Sequence, residues 1–186
     1  MLGKILITGA FSTGKTTLVN HVASACRAQG IPIRVVADTA RASPLPLNRQ
    51  QTLFTSLWLF GSQVAAESLA ASEAPCRAVL CDRGIPDIVS HTPLIHWYGE
   101  GEGNPLALVT MARAWARTYD RVLWARPDPA WDIAPDGVRV VDRSYQNELD
   151  SVMPKVFDFL GLTAEELPQD PAERLTVTMG LLRSMS

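Results

Sequence analysis

The feature that most constrains this chain is the stretch GAFSTGKTT, Gly9 to Thr17, which follows the apolar run Lys4 to Thr8. It satisfies the pattern GxxxxGK[ST] and lies between an expected strand and an expected helix, the context in which that pattern wraps a phosphate. Glycines at both ends let the backbone curl so that successive amide N–H groups point inward, and the new helix adds its positive N-terminal end. Gly9, Ser12, Thr13, Gly14, Lys15, Thr16 and Thr17 are therefore expected to hold the phosphates of a bound ligand. Lys15 should reach the β and γ phosphates, and the Thr16 hydroxyl should be one ligand of a Mg²⁺ that bridges them.

Such a loop commits the chain to alternating strands and helices, and the remaining pattern agrees. Lys4 to Thr8 reads as a buried strand, and a helix from about Gly14 carries Leu18, Val22, Ala25 and Gln29 until Gly30 and Pro32 end it. Ile33 to Ala37 reads as a second strand, followed by Asp38 and a proline-rich loop. From about Arg49 to Ser72 the residues Leu53, Leu57, Phe60 and Val64 form a helical stripe, with Gln63 and Glu67 on another face. Ala78 to Cys81 and Arg121 to Ala125 read as the third and fourth strands, with a helix near Pro105 to Thr118 between them. Leu149, Val152, Val156 and Phe159 make a further helical stripe that Pro154 should kink or split, and Gly161 closes it. Asp170-Pro171-Ala172-Glu173 starts a last helix, leaving room for a short fifth strand around Thr163 to Leu167. The expected fold is a three-layer α/β/α P-loop NTPase with a parallel sheet of about five strands and right-handed crossovers.

With 186 residues, 47% of them apolar, residues 1–186 are expected to close a single domain. A net charge of −2 provides no general field for nucleic acid or an anionic membrane, so neither is an expected partner. No run is long enough to span a bilayer or to act as a signal peptide, so a cytoplasmic protein is expected. Cys26, Cys76 and Cys81 lack metal or disulfide spacing and read as small buried residues.

A magnesium site on a phosphate loop needs a carboxylate at the end of a neighbouring strand, and Asp82 stands there. A transferred phosphoryl group needs additional cations and a group that orients the acceptor hydroxyl. Arg83 is one candidate cation, and Arg126, Arg139 and Arg143 cluster in RPDPAWDIAPDGVRVVDR, a segment that reads as a lid over about residues 126–143. Asp38, beyond the second strand, is the candidate that accepts or orients the hydroxyl proton. His91 and His96 read as surface or acceptor-pocket histidines and not as a metal pair. Trp115 and Trp124 read as core, whereas Trp58, Trp97 and Trp131 fall near the acceptor and lid regions.

Several of these features together resemble one family. GxxSTGKTTL, Asp38-Thr39-Ala40-Arg41, the Leu-Asn-Arg-Gln entry to a helix carrying Gln63 and Glu67, CDRG, Tyr119-Asp120 and Asp136-Gly137-Val138-Arg139 are similar to the small P-loop kinases related to the nicotinamide riboside kinase domain of NadR. Thymidylate and deoxynucleoside kinases resemble the chain more loosely. The resemblance implies an adenylate-kinase-like fold, ATP with Mg²⁺, and transfer of the γ-phosphate to a small acceptor. It places Asp38 at the acceptor hydroxyl, Asp82 at the metal, Arg83 on phosphate or acceptor, and Arg126, Arg139 and Arg143 in the lid, where Arg126 is expected to bind the nucleotide and Arg139 and Arg143 to take part in catalysis. Asp38 stands where that family usually has glutamate, a reach shorter by one methylene. The stretch IPDIVSHTPLIHWYGEGEGNP departs from the family pattern and is where acceptor identity is expected to be set. The DNA-binding and nucleotidyltransferase extensions of NadR are not expected here.

The expected function is thus ATP-dependent phosphoryl transfer to a hydroxyl of a nucleoside-like or other small metabolite. The alternative is a regulatory or partner-controlled NTPase that hydrolyses ATP without such an acceptor. A guanine-reading NKxD sequence is absent, which disfavours GTP. A homodimer remains open.

Overall fold

The computed structural model describes residues 3–73, 76–91, 105–133 and 141–185. Strands β1 (Gly3–Thr8), β2 (Ile33–Val36), β3 (Ala78–Asp82), β4 (Arg121–Trp124) and β5 (Ala164–Glu166) pair in parallel in the order β2-β3-β1-β4-β5. Around them lie helices α1 (Lys15–Ala28), α2 (Leu53–Ser72), α3 (Ile85–His91), α4 (Pro105–Ala116), α5 (Arg143–Leu160) and α6 (Pro171–Ser184). The three layers follow from the pleat, because successive side chains of a strand point to opposite faces. Leu6 of β1 with Val79 and Cys81 of β3 packs beneath helices α2 to α5, whereas Ile5, Ile7, Ala78 and Leu80 pack beneath α1 and α6. β1 and β3 are buried along their whole length, as central parallel strands must be.

Three elements differ from the sequence expectation. α2 begins at Leu53 and not near Arg49: Asn48 is left-handed with φ 60°, residues 48–50 form a 3₁₀ turn, and Thr52 caps the helix in a reciprocal pair with Thr55. Its buried face runs through Ser56, Leu59, Phe60, Gln63, Glu67 and Ala70, while Leu57 of the expected apolar stripe is exposed. The helix can turn the Glu67 carboxylate inward because Lys4, Gln63, Trp115 and Tyr119 supply donors for it there. α5 runs unbroken through Pro154. That proline removes one helical bond, the one to the Asp150 carbonyl, while Leu149, Met153, Val156, Phe157 and Leu160 on both sides of it anchor a single helix in the core. The seven-residue α3 directly after CDRG was not anticipated.

The other boundaries agree closely. Asp170 caps α6 by accepting from the backbone N–H groups of Ala172 and Glu173, both at 2.9 Å, with Pro171 in the first turn. β5 forms inside the range expected for it. Among the described residues, no helix is long and apolar enough to cross a membrane.

Candidate active site

The carboxyl ends of β1, β3 and β2 are neighbours along one edge of the sheet, so the phosphate loop, Asp82-Arg83 and Asp38 converge although they are far apart in the chain.

The loop itself depends on backbone shape. Gly9 has φ 134°, and a Cβ there would lie 2.2 Å from the Ala125 carbonyl oxygen, so no other residue fits. Ser12 (φ 56°) and Gly14 (φ 79°) are left-handed, which turns the chain round a cavity of about 280 Å³ lined by Ser12 to Thr17 and Arg83. Among the described residues the buried Ser12 Oγ has no partner. The Lys15 ammonium donates to the Gly9 carbonyl at 2.7 Å, to the Ala10 carbonyl, and to the Thr13 hydroxyl at 3.1 Å. Burial, followed by repulsion from Arg83, lowers its pKa from 10.5 to about 7, against the opposing pull of Asp87, Asp82 and Asp38.

This shift has a definite sign. Between about pH 7 and 10.5 the unfolded chain holds the Lys15 proton and the folded chain does not, so this group's contribution to stability rises with pH across that window. A bound triphosphate favours the ammonium, so nucleotide binding at about pH 8 is expected to take up about one proton and to weaken as pH rises further. Calorimetry in two buffers of different ionisation enthalpy reads this directly; binding without proton uptake would show Lys15 already charged.

Asp82 is 2% exposed and lies beside the Thr16 hydroxyl, and among the described residues its buried Oδ1 has no partner. Burial raises its pKa, with Thr16 and Lys15 opposing. A buried carboxylate beside a threonine hydroxyl, with an unused oxygen, is the oxygen donor set a Mg²⁺ uses when it keeps most of its waters. Among the described residues no cluster of three or more His, Cys, Asp or Glu forms an all-protein metal cage.

Arg83 has φ 73°, a left-handed conformation uncommon for a residue with a Cβ. Its Nε donates to Asp38 Oδ2 at 3.1 Å and its Nη1 to Asp87 Oδ1 at 3.2 Å. Burial would lower its pKa, but Asp38, Asp87 and Asp82 outweigh this and raise it, so it stays a cation. Asp87 was missed by sequence reasoning; its position one helical turn beyond Arg83 was the available signal. Four donors occupy it: the Thr8 hydroxyl (2.7 Å), the Gly9 and Gly84 amides (3.3 and 3.0 Å), and Arg83. Asp38 accepts from the Ala40 amide at 3.1 Å and from Arg83. A carboxylate offers about four acceptor sites, so those two bonds leave capacity for a ligand.

Beyond Arg83 opens a cleft of about 630 Å³ with Asp38, Gln63, Asp87 and His91 among its polar walls and Phe11, Leu47 and Ile88 among its apolar ones. His91 lies here with its Nδ1 2.8 Å from the Tyr145 hydroxyl. Burial, then Arg83 and Lys15, lowers its pKa to about 3, so it is neutral at physiological pH. A second cleft of about 740 Å³ flanks the other side of the loop, lined by Gly14, Thr17, His21, Trp131 and Arg174 among others. Arg174, 1% exposed and also missed, donates to the Thr13 carbonyl at 2.5 Å and stacks 5.0 Å from the Trp131 ring.

The remaining candidates lie elsewhere. Arg126 is held by Asp150 at 2.9 Å and Glu166 at 3.6 Å and stacks on Trp124, and it does not line the phosphate cavity. Arg143 opens α5 and donates to Gln146 Oε1 at 2.7 Å and to the Asp128 and Trp131 carbonyls. Either would have to exchange these partners to touch a phosphate. Arg139, Trp97, His96, residues 134–140 of the expected lid and residues 92–104 of the expected acceptor segment lie outside the described residues. Trp58 packs against the core and Trp131 against Gly14, so neither of these two lines the Asp38 cleft.

Residues 4–174 match the AAA domain family. The chain belongs to that family. No curated protein matches it. This AAA-domain chain is similar in structure to NadR protein in complex with NR, with TM-score 0.72 and 17% identity over 99% of this chain and 50% of that one. It is similar also to a deoxyadenosine kinase from M. mycoides with bound dATP, with TM-score 0.64 and 11% identity over 97% of this chain and 100% of that one. The chain spans about half the length of the NadR protein. At such identities the likeness is one of fold, and it is the P-loop α/β/α fold expected from the sequence.

Proposed function

We propose that this AAA-domain chain is an ATP-dependent phosphotransferase that moves the γ-phosphoryl group to a hydroxyl of a small, nucleoside-like acceptor. The observation that carries the reading is Arg83, which lines both the phosphate cavity and the Asp38 cleft. A hydrolase needs only the first of these spaces. In the proposed arrangement the loop amides, Ser12 and Lys15 hold the phosphates, and the nucleobase lies in the Trp131 cleft. A Mg²⁺ held by Thr16 and Asp82 would neutralise charge between the terminal phosphates. Arg83 stabilises the equatorial oxygens of the group in flight, and Asp38 orients the acceptor hydroxyl and takes its hydrogen bond. The kinase structures of like fold support this reading.

Incubation with ATP, Mg²⁺ and a panel of nucleosides and vitamins, followed by mass analysis of ADP and phosphorylated product, tests it. A phosphorylated acceptor is expected; ADP with inorganic phosphate alone, across the panel, favours the NTPase reading. Asp38→Asn keeps the shape and a bond to the Ala40 amide but loses the charge. Its expected effect is a roughly 10²- to 10⁴-fold loss of transfer with ATP affinity little changed, checked by initial rates beside calorimetric ATP binding.

A further inference from the structure

We infer that buried Glu67 is a positioning residue that sets Asp38, Arg83 and Asp87 from beneath the cleft, through two hydrogen-bonded branches. The inference rests on the transfer reading for its purpose, but its geometry and its test do not need an acceptor.

Glu67 is fully buried, and its two oxygens take four donors: Lys4 Nζ and Gln63 Nε2 at 2.9 Å, Trp115 Nε1 and the Tyr119 hydroxyl at 2.7 Å. Lys4 neutralises the charge, and with every lone pair engaged out of reach of water the carboxylate is a fixed point. From that point the first branch runs along one helical turn of α2. The Gln63 amide donates to Glu67 and, at 3.2 Å, to the Arg83 carbonyl, while its oxygen accepts from the Thr39 hydroxyl at 2.9 Å. This pattern uses both donors and the acceptor of one amide, so its orientation is determined. It also joins the left-handed Arg83 to the residue that follows Asp38.

The second branch passes through Tyr119. Its hydroxyl donates to Glu67 and accepts from the Ile85 amide at 3.2 Å, fixing the first residue of α3, which carries Asp87. Gly84 sits between the branches, where a Cβ would come within 2.5 Å of the Tyr119 hydroxyl and 2.8 Å of Leu6. The three groups that grip one another across the cleft are thus each tied to the same buried carboxylate. The Arg83 amide is held separately, donating to the Ile7 carbonyl at 3.0 Å. Its carbonyl side depends on Gln63, and cutting that bond frees the strained residue to relax toward a commoner conformation.

The Arg83 Nε–H, held against Asp38, is the reporter. Its ¹⁵N–¹H signal, identified by its loss in Arg83→Lys, is expected to exchange slowly with solvent in the wild-type protein. Gln63→Met and Tyr119→Phe each cut one branch without removing Glu67 or its Lys4 partner, and each is expected to speed that exchange roughly tenfold or more. Trp115→Phe removes a Glu67 donor that leads nowhere near the site, and serves as the comparison. It is expected to lower the melting temperature while leaving the Arg83 signal protected. Equal loss of protection in all three variants, or retained protection in Gln63→Met and Tyr119→Phe, would overturn the inference. Failure of the acceptor panel would leave this outcome untouched, so the two readings fail separately.

Discussion

Lys15→Ala is expected to cost roughly 10²- to 10³-fold in phosphoryl transfer, the range seen when one preorganised charge donor is removed from a transition state. Lys15 is buried at 4% exposure, and its amino group already lies within the loop, against the Gly9 and Ala10 carbonyls. Removing it strips the cavity of the charge that meets the terminal phosphates and also takes a donor from those two carbonyls. ATP affinity should therefore fall together with turnover, by about tenfold or more. Initial rates and calorimetric ATP binding on the same preparation check both parts. Undiminished ATP binding would mean that the triphosphate is held somewhere other than this loop.

Arg83→Lys has the other large expected effect, with a different signature. The guanidinium spans from Asp38 to Asp87 with two separate N–H groups, at 3.1 and 3.2 Å, which a single ammonium cannot reproduce. Lysine keeps the charge between the two acids, so the fold should survive; deleting the charge would leave the buried Asp87 and the half-buried Asp38 without the cation between them, which destabilises the fold. With charge kept and geometry lost, transfer is expected to fall by roughly 10²- to 10³-fold while ATP affinity changes little. Product formation measured against ATP binding separates the two effects. If the substitution weakened ATP binding and left transfer at saturating ATP intact, Arg83 would serve the ground-state nucleotide and not the reacting group.

The legible part of the site was the part written locally. The phosphate loop is a contiguous run whose spacing carries its geometry, and Asp82, Arg83 and Asp38 follow strands whose carboxyl ends a parallel sheet brings together. What stayed hidden depends on partners far apart in the chain. Arg174 meets the Thr13 carbonyl across 161 positions, and Glu67 meets Tyr119 across 52, so neither pairing leaves a periodic trace. Gln63 and Glu67 were visible as a face of α2 but read as secondary to an apolar stripe, because hydropathy alone cannot show that the buried side of a helix is satisfied by donors from β1 and α4. Pro154 does not split the helix for a related reason: the core contacts of α5 outweigh the one bond the proline removes. Arg126 and Arg143 were legible as cations but not as cations already paired with Asp150 and with loop carbonyls.

The most direct test is a structure of the protein with Mg²⁺, a non-hydrolysable ATP analogue and an acceptor drawn from the panel. The acceptor hydroxyl is expected beside Asp38, in line with the γ-phosphate and with Arg83 between the two clefts. An acceptor seated away from Arg83, or a γ-phosphate turned from the Asp38 cleft toward open solvent, would contradict the account.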